Sequence, residues 1–242
     1  MTIRTTPNPL IRWIELQLTR FNDRHPWSHN HHFHPWILRS LPPSTGRALD
    51  VGCGRGDLVA ALAGVVGRVD GIDPDQEMAY VAATRFVHDP AVQIGRRTLC
   101  EHAAEPHRHG TYAAITMVAS LHHMDLAEAL TDARTLLTPG GRLLVVTLTD
   151  PVSTADQIWD VFSVLSNPLI GLVKHPRPVR EAPEERPIPV KDPTWSIDEL
   201  RQEAARILPG AVIRRREGFR VTLRWRKPGS APAEISAGGA AR

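Results

Sequence analysis

Cysteine is nearly absent from this chain: two residues in 242, Cys53 and Cys100, with no Cys-x-x-Cys pair. That excludes a disulfide framework and a zinc ribbon, and it suits a reducing compartment. Aromatic residues are scarce as well, at 5%, so the aromatic interleaving of a base-stacking groove is missing. No apolar run approaches the roughly 20 residues of a membrane-spanning helix. The opening MTIRTTPNPLIRWIELQLTR has neither the apolar centre nor the small-residue cleavage site of a secretory signal. These absences predict a cytoplasmic chain with no membrane span. Charge of one sign is not in excess either, the formal net being +3. Base does gather in VIRRREGFRVTLRWRK, which reads as a solvated face of edge strands. An anionic substrate or nucleic acid is the alternative reading of that cluster.

What is present is enough apolar residue, 42%, for a sizeable core. Apolar spacing predicts an amphipathic helix over Pro9–Phe21 and a short one around Pro35–Leu41. Strand-like runs follow at Arg47–Val51, Arg68–Asp73, 92–99 (poorly patterned), Tyr112–Ser120 and Arg142–Thr149, with helical patterns of about a dozen residues between most of them. Such alternation predicts βαβ units and a parallel sheet. Beyond Asp150, QIWDVFSVLSNPLIGLV reads as helix, and the proline-rich stretch at about 174–193 as a lid or a plain insertion. A capping box, Ser196 to Glu199, opens another helix. Two short strands then make a C-terminal antiparallel hairpin, and 229–242 has the composition of a disordered tail.

The stretch RALDVGCGRG places Gly52, Gly54 and Gly56 at alternate positions directly after the first strand. A glycine turn between strand and helix at the edge of a parallel sheet is a usual place for a nucleotide-like ligand. The spacing is neither GxGxxG nor GxxxxGK, and no lysine is present to neutralise a triphosphate. The strand ends in Asp50, which repels pyrophosphate and welcomes an ammonium or sulfonium. The second strand ends in Asp73, 17 residues past Gly56, placed to accept from two ribose hydroxyls. A phosphate-poor, cation-friendly and ribose-binding site points to S-adenosylmethionine.

ALDVGCGRGDLVAALA, GIDPDQEM, SLHHM and LLTPGGRLLVV, in this order and spacing over residues 46–149, resemble the class I S-adenosylmethionine-dependent methyltransferases, especially the small ubiquinone-biosynthesis-like branch. The resemblance implies a Rossmann-like α/β fold: a mostly parallel seven-stranded sheet, helices on both faces, and an antiparallel C-terminal strand pair. It implies that the three glycines let the backbone approach the methionine portion, and that Asp50 holds the amino group. Asp73 would hold the ribose, Pro74 and Met78 would flank the adenine, and Val118 and Ala119 would give backbone contacts. The acidic residue expected after strand 3 has no clean counterpart; Cys100, Glu101 and Glu105 are the nearest, and Glu101 is carried as the candidate. On this frame residues 1–45 form a helical cap and 46–228 the cofactor-binding domain.

Methyl transfer needs mainly positioning, with a base if the nucleophile is a hydroxyl or an acidic carbon. His122 and His123, just beyond strand 4, are the candidate bases. The cluster HPWSHNHHFHPW suggests metal binding, but no Cys, Asp or Glu joins it between Asn30 and Leu49. It is read instead as a cap packing Trp27, Phe33 and Trp36 over the cofactor, with His29 or His32 lining the acceptor pocket. No amine-methylation Asn/Asp-Pro-Pro-Tyr/Phe motif occurs, which with the aromatic scarcity favours a small-molecule acceptor, hydroxylated and metabolite- or quinone-like, over nucleic acid. A non-methylating step on the same cofactor, such as cyclisation, and a non-catalytic partner module remain as alternatives. The residues do not bear on oligomeric state.

Overall fold

The computed structural model describes residues 29–153, 159, 172–173 and 193–229. The expected Pro9–Phe21 helix, most of 157–173, nearly all of the proline-rich stretch and all but the start of the tail lie outside the described residues. The strands are β1 Arg47–Val51, β2 Arg68–Asp73, β3 Val92–Arg96, β4 Tyr112–Val118, β5 Leu137–Thr147, β6 Val212–Arg216 and β7 Arg220–Arg226. The helices are α1 His29–His32, α2 His34–Ser40, α3 Asp57–Ala63, α4 Gln76–Arg85, α5 Leu99–Ala103, α6 Leu126–Leu136 and α7 Ile197–Ile207.

One seven-stranded sheet runs β3-β2-β1-β4-β5-β7-β6. Strands β1 to β5 are parallel, and β7 is antiparallel to both β5 and β6. The expected sheet and its antiparallel pair are therefore present. Chain order reverses between β1 and β4, so the connections leaving these two strands diverge to opposite faces. That divergence opens a crevice at their C-terminal ends, where ligands bind in open α/β sheets.

Two apolar layers hold the helices in place. On one face Leu130, Leu136, Leu143, Val145, Leu200, Leu223 and Trp225 are buried together. On the other, Phe33, Ile37, Val59, Leu62, Leu144 and Val146 form the second layer. Full burial of each large side chain is worth about 1.5–3 kcal/mol. α2 is tied down further by Arg142, whose Nη1 donates to the carbonyls of Ser40 and Leu41 at 2.8 and 3.1 Å.

Helix starts follow local chemistry. Asp75, Thr98, Asp125 and Ser196 each accept an amide hydrogen bond at a helix N-terminus, and Thr98 and Ser196 complete capping boxes with Glu101 and Glu199. Several elements differ from expectation: α1 is additional, β3 ends at Arg96 rather than 99, and β4 ends at Val118 rather than Ser120. α5 was not foreseen, because its five residues are too few to show a period. β5 starts at Leu137 rather than after the Pro-Gly-Gly turn, since Leu137 already pairs with Tyr112 across a register shift.

Candidate active site

The loop after β1 is built from its own hydrogen bonds. The amides of Gly52 and Cys53 donate to Ile72 O at 2.8 and 3.0 Å, and Gly56 N donates to Cys53 O at 2.9 Å. Gly54 N donates to Asp73 Oδ2 at 2.9 Å. Amides committed in this way do not form the open nest that cradles phosphate. The geometry therefore agrees with the motif spacing: this is no pyrophosphate site.

All three glycines have left-handed φ, +71° at Gly52, +54° at Gly54 and +82° at Gly56, a region that penalises a Cβ. They differ in what stands beside them. A Cβ on Gly52 would lie 2.4 Å from Ser120 Cβ, and one on Gly56 2.7 Å from the Phe86 ring. A Cβ on Gly54 would meet no protein atom within 4 Å. Close approach at Gly52 and Gly56 thus comes from the protein's own side chains, and only Gly54 turns its bare face outward. Ser120, which the sequence reading passed over, also donates from Oγ to Val51 O at 2.6 Å, stitching the end of β4 to the loop.

The acidic pair brackets this loop. Asp73, 8% exposed, accepts from Gly54 N and, through Oδ1, from Asp75 N at 2.9 Å. It therefore fastens the loop to β2, and each carboxylate oxygen retains a second lone pair. Asp50, 2% exposed, accepts from Thr116 Oγ1 at 2.7 Å. Burial pushes its carboxyl up to about 7; the Thr116 hydrogen bond pulls the other way, and the Asp73 charge adds to the rise. A buried carboxylate facing a second one is a place where a cation is stabilising. Cys53, buried beside both acids, has its thiol pushed up by the same burial and charges.

The other sequence candidates divide. Met78 is buried at the start of α4, with its amide donating to Asp75, and Pro74 is exposed. Glu101 is exposed and accepts from Thr98 N at 2.8 Å, so its carboxylate serves the α5 cap. Glu105 accepts from Arg97 at 2.6 Å and from Arg108. Val118 ends β4, and Ala119 takes a left-handed φ of +54° while donating to Val146 O at 2.7 Å. The chain then makes a 3-10 turn carrying His122 and His123. His122 is buried and His123 exposed, with ring centroids 4.2 Å apart.

The described residues of the histidine cluster reach separate partners. Phe33 is buried in the core beneath α2, and Trp36 packs against the same layer. His29 lies in α1. His32 Nε2 is 2.8 Å from Glu217 Oε1 in the β6–β7 turn. His31, not singled out from sequence, lies 3.0 Å from Asp57, the first residue of α3, and Asp57 also accepts from Arg85 at 2.7 Å. Asp57 sits below its ordinary range: partial burial raises it, and the bonds from Arg85 and His31 more than offset that. His31 and His32 thus tie α1 to two different parts of the C-terminal edge. Trp27 lies outside the described residues.

No helix among the described residues is long and apolar enough to cross a membrane.

Comparison with known proteins gives a consistent picture. The family described as "Methyltransferase domain" matches residues 49–145. A Mycobacterium tuberculosis protein named an uncharacterized methyltransferase is 33% identical over 208 residues, covering 84% of this chain and 98% of its own length. A Burkholderia multivorans ubiquinone biosynthesis O-methyltransferase is 30% identical over 145 residues, 54% of this chain and 62% of its own. The solved geranyl diphosphate C-methyltransferase of Streptomyces coelicolor A3(2), in complex with S-adenosyl-L-homocysteine, superposes with a TM-score of 0.55 at 15% identity, covering 81% of this chain and 78% of that one. At that identity the likeness is one of fold. A glycine loop at the switch point, on a chain alike along nearly the whole length of a methyltransferase relative, places this chain in the class I S-adenosylmethionine-dependent methyltransferases, with S-adenosylmethionine as its cofactor.

Proposed function

We propose that this enzyme methylates a hydroxyl group on a small, quinone-like or other metabolite acceptor, with the His122–His123 pair serving the acceptor side. The observation that carries the reading is the close imidazole pair at the turn after β4, the rings tilted by 38°, one buried and one exposed. The turn adjoins the cofactor loop through the Ser120–Val51 bond. When bound, S-adenosylmethionine supplies a sulfonium-activated methyl group. Asp50 would hold its ammonium, Asp73 its ribose hydroxyls, and Gly54 would leave room for its methionine portion. Met78 and Pro74 would border the adenine, and backbone at Val118 and Ala119 would border the amino acid end.

His123 is the better placed of the two to exchange protons, because it is exposed; His122 sits behind it as its positioning partner. A hydroxyl nucleophile gains about 10²–10⁴ in rate from a positioned base. The ubiquinone relative's name, an O-methyltransferase, supports oxygen as the target. The test is a screen of hydroxylated aromatic acceptors with methyl-labelled cofactor, followed by His123→Ala and His122→Ala. His123→Ala is expected to lower kcat at least 100-fold with unchanged S-adenosylhomocysteine affinity. Unchanged kcat in both variants would remove the histidines from the chemistry.

A further inference from the structure

Arg220 opens β7, one residue before Val221, which pairs with Thr147, the last residue of β5. It therefore stands at the same sheet edge as the ends of β1 and β4, where the cofactor loop and the histidine turn lie. Residues two apart on a strand share a face. Arg220 shares one with Thr222, which is paired with Val146, and Val146 belongs to the apolar layer under α2 and α3.

Its surroundings are unusual for a cation. Nη2 donates to Asn30 Oδ1 at 3.2 Å and Nη1 to Gly218 O at 3.3 Å. Nε is buried with no hydrogen-bond partner among the described residues. No carboxylate among the described residues pairs with the group, and burial alone pushes the guanidinium down to about 10, leaving it charged at neutral pH. Arg47 shows the ordinary arrangement in the same protein, donating to Asp70 at 2.7 Å. The nearest acid in sequence, Glu217, accepts from His32 instead. The residue is half-buried, with Nε shut away from solvent, and a charge drawn partly out of water without an opposite charge is destabilising unless something else neutralises it. Asn30 joins this arginine to α1, and His31 of α1 reaches Asp57 at the base of the glycine loop. The arginine and the cofactor loop are thus two ends of one connected wall.

We propose that Arg220 is the anchor for an anionic group on the methyl acceptor, so that the substrate class is a hydroxylated molecule bearing a carboxylate or phosphate. This rests on the methyltransferase reading of the C-terminal edge. Guanidinium geometry suits both anions, offering paired parallel donors.

The test uses the full chain saturated with S-adenosylhomocysteine and three probes of similar shape: benzoate, phenyl phosphate and neutral benzamide, titrated by calorimetry. At least one anion is expected to bind tenfold or more tightly than benzamide, and whichever anion binds better identifies the head group. Arg220→Met is expected to abolish that preference while leaving S-adenosylhomocysteine affinity within twofold and the melting temperature equal or higher. Equal binding of all three probes by the wild-type protein overturns the proposal, and this comparison stands even if Arg220→Met does not fold. A preference that survives in Arg220→Met overturns it too. Loss of S-adenosylhomocysteine affinity in a folded Arg220→Met protein reassigns the residue to the cofactor. Failure of the wild-type protein to bind S-adenosylhomocysteine strikes the cofactor site itself; the three probes titrated into the unloaded protein then decide the anion question separately.

Discussion

The three loop glycines make a matched experiment, because they share a backbone conformation and differ in surroundings. Gly54→Ala places a Cβ at φ +54° with no protein atom within 4 Å, so its stability cost is the left-handed penalty alone, about 1–2 kcal/mol. Gly52→Ala carries the same penalty and also drives its Cβ to 2.4 Å from Ser120, an overpacking that adds about 1–3 kcal/mol. Its total is about 2–5 kcal/mol. The order reverses for the ligand: Gly54→Ala is expected to weaken S-adenosylhomocysteine binding at least tenfold, because its new methyl group projects outward where the proposal puts the methionine portion. The stability of each variant is read by urea denaturation and the affinity by calorimetry. A double-mutant cycle with Ser120→Gly isolates the contact, with an expected coupling of about 1–3 kcal/mol for Gly52→Ala and none for Gly54→Ala. Cofactor affinity within twofold of wild type in Gly54→Ala, or no coupling between positions 52 and 120, refutes this division of roles.

Three further outcomes follow from named contacts. Asp50 is held near 7 in the free protein, chiefly by burial, and a bound cation favours its ionised form. Affinity for S-adenosylmethionine should therefore fall about tenfold per unit as pH drops below about 7, and calorimetry at pH 5 to 8 should show this slope flattened in Asp50→Asn. The sign for stability is opposite: a raised carboxyl favours the fold at low pH and loses that contribution as pH rises toward 7, so Asp50→Asn should melt no lower than wild type at pH 8. Ser196→Ala removes the side chain that accepts Glu199 N at 3.3 Å, and thermal or urea unfolding should show a loss of about 0.5–2 kcal/mol.

Much of this architecture is written locally. The position of the glycine loop after β1, Asp50 and Asp73 near strand ends, and the Ser196 box each show in short stretches of sequence, and they stand where the pattern put them. What could not be read depends on distant neighbours. The reason for Gly52 is Ser120, and the reason for Gly56 is Phe86; neither pairing leaves a local signature. The same holds for His31 and His32, whose partners Asp57 and Glu217 come from opposite ends of the domain. Thr98–Glu101 is a legible capping box, but Glu101 was weighed only as an adenine contact, and the cap claims it. That no carboxylate among the described residues pairs with Arg220 is a tertiary property altogether.

The central claim is that the β1 loop and the β2 carboxylate hold S-adenosylmethionine. Titration of the purified protein with S-adenosylmethionine and S-adenosylhomocysteine, wild type against Asp73→Ala, tests it most directly. The account predicts micromolar binding of both ligands, weakened at least tenfold by the substitution, about 1.4 kcal/mol or more. Equal affinity in Asp73→Ala, or no binding by the wild-type protein at millimolar ligand, would contradict it.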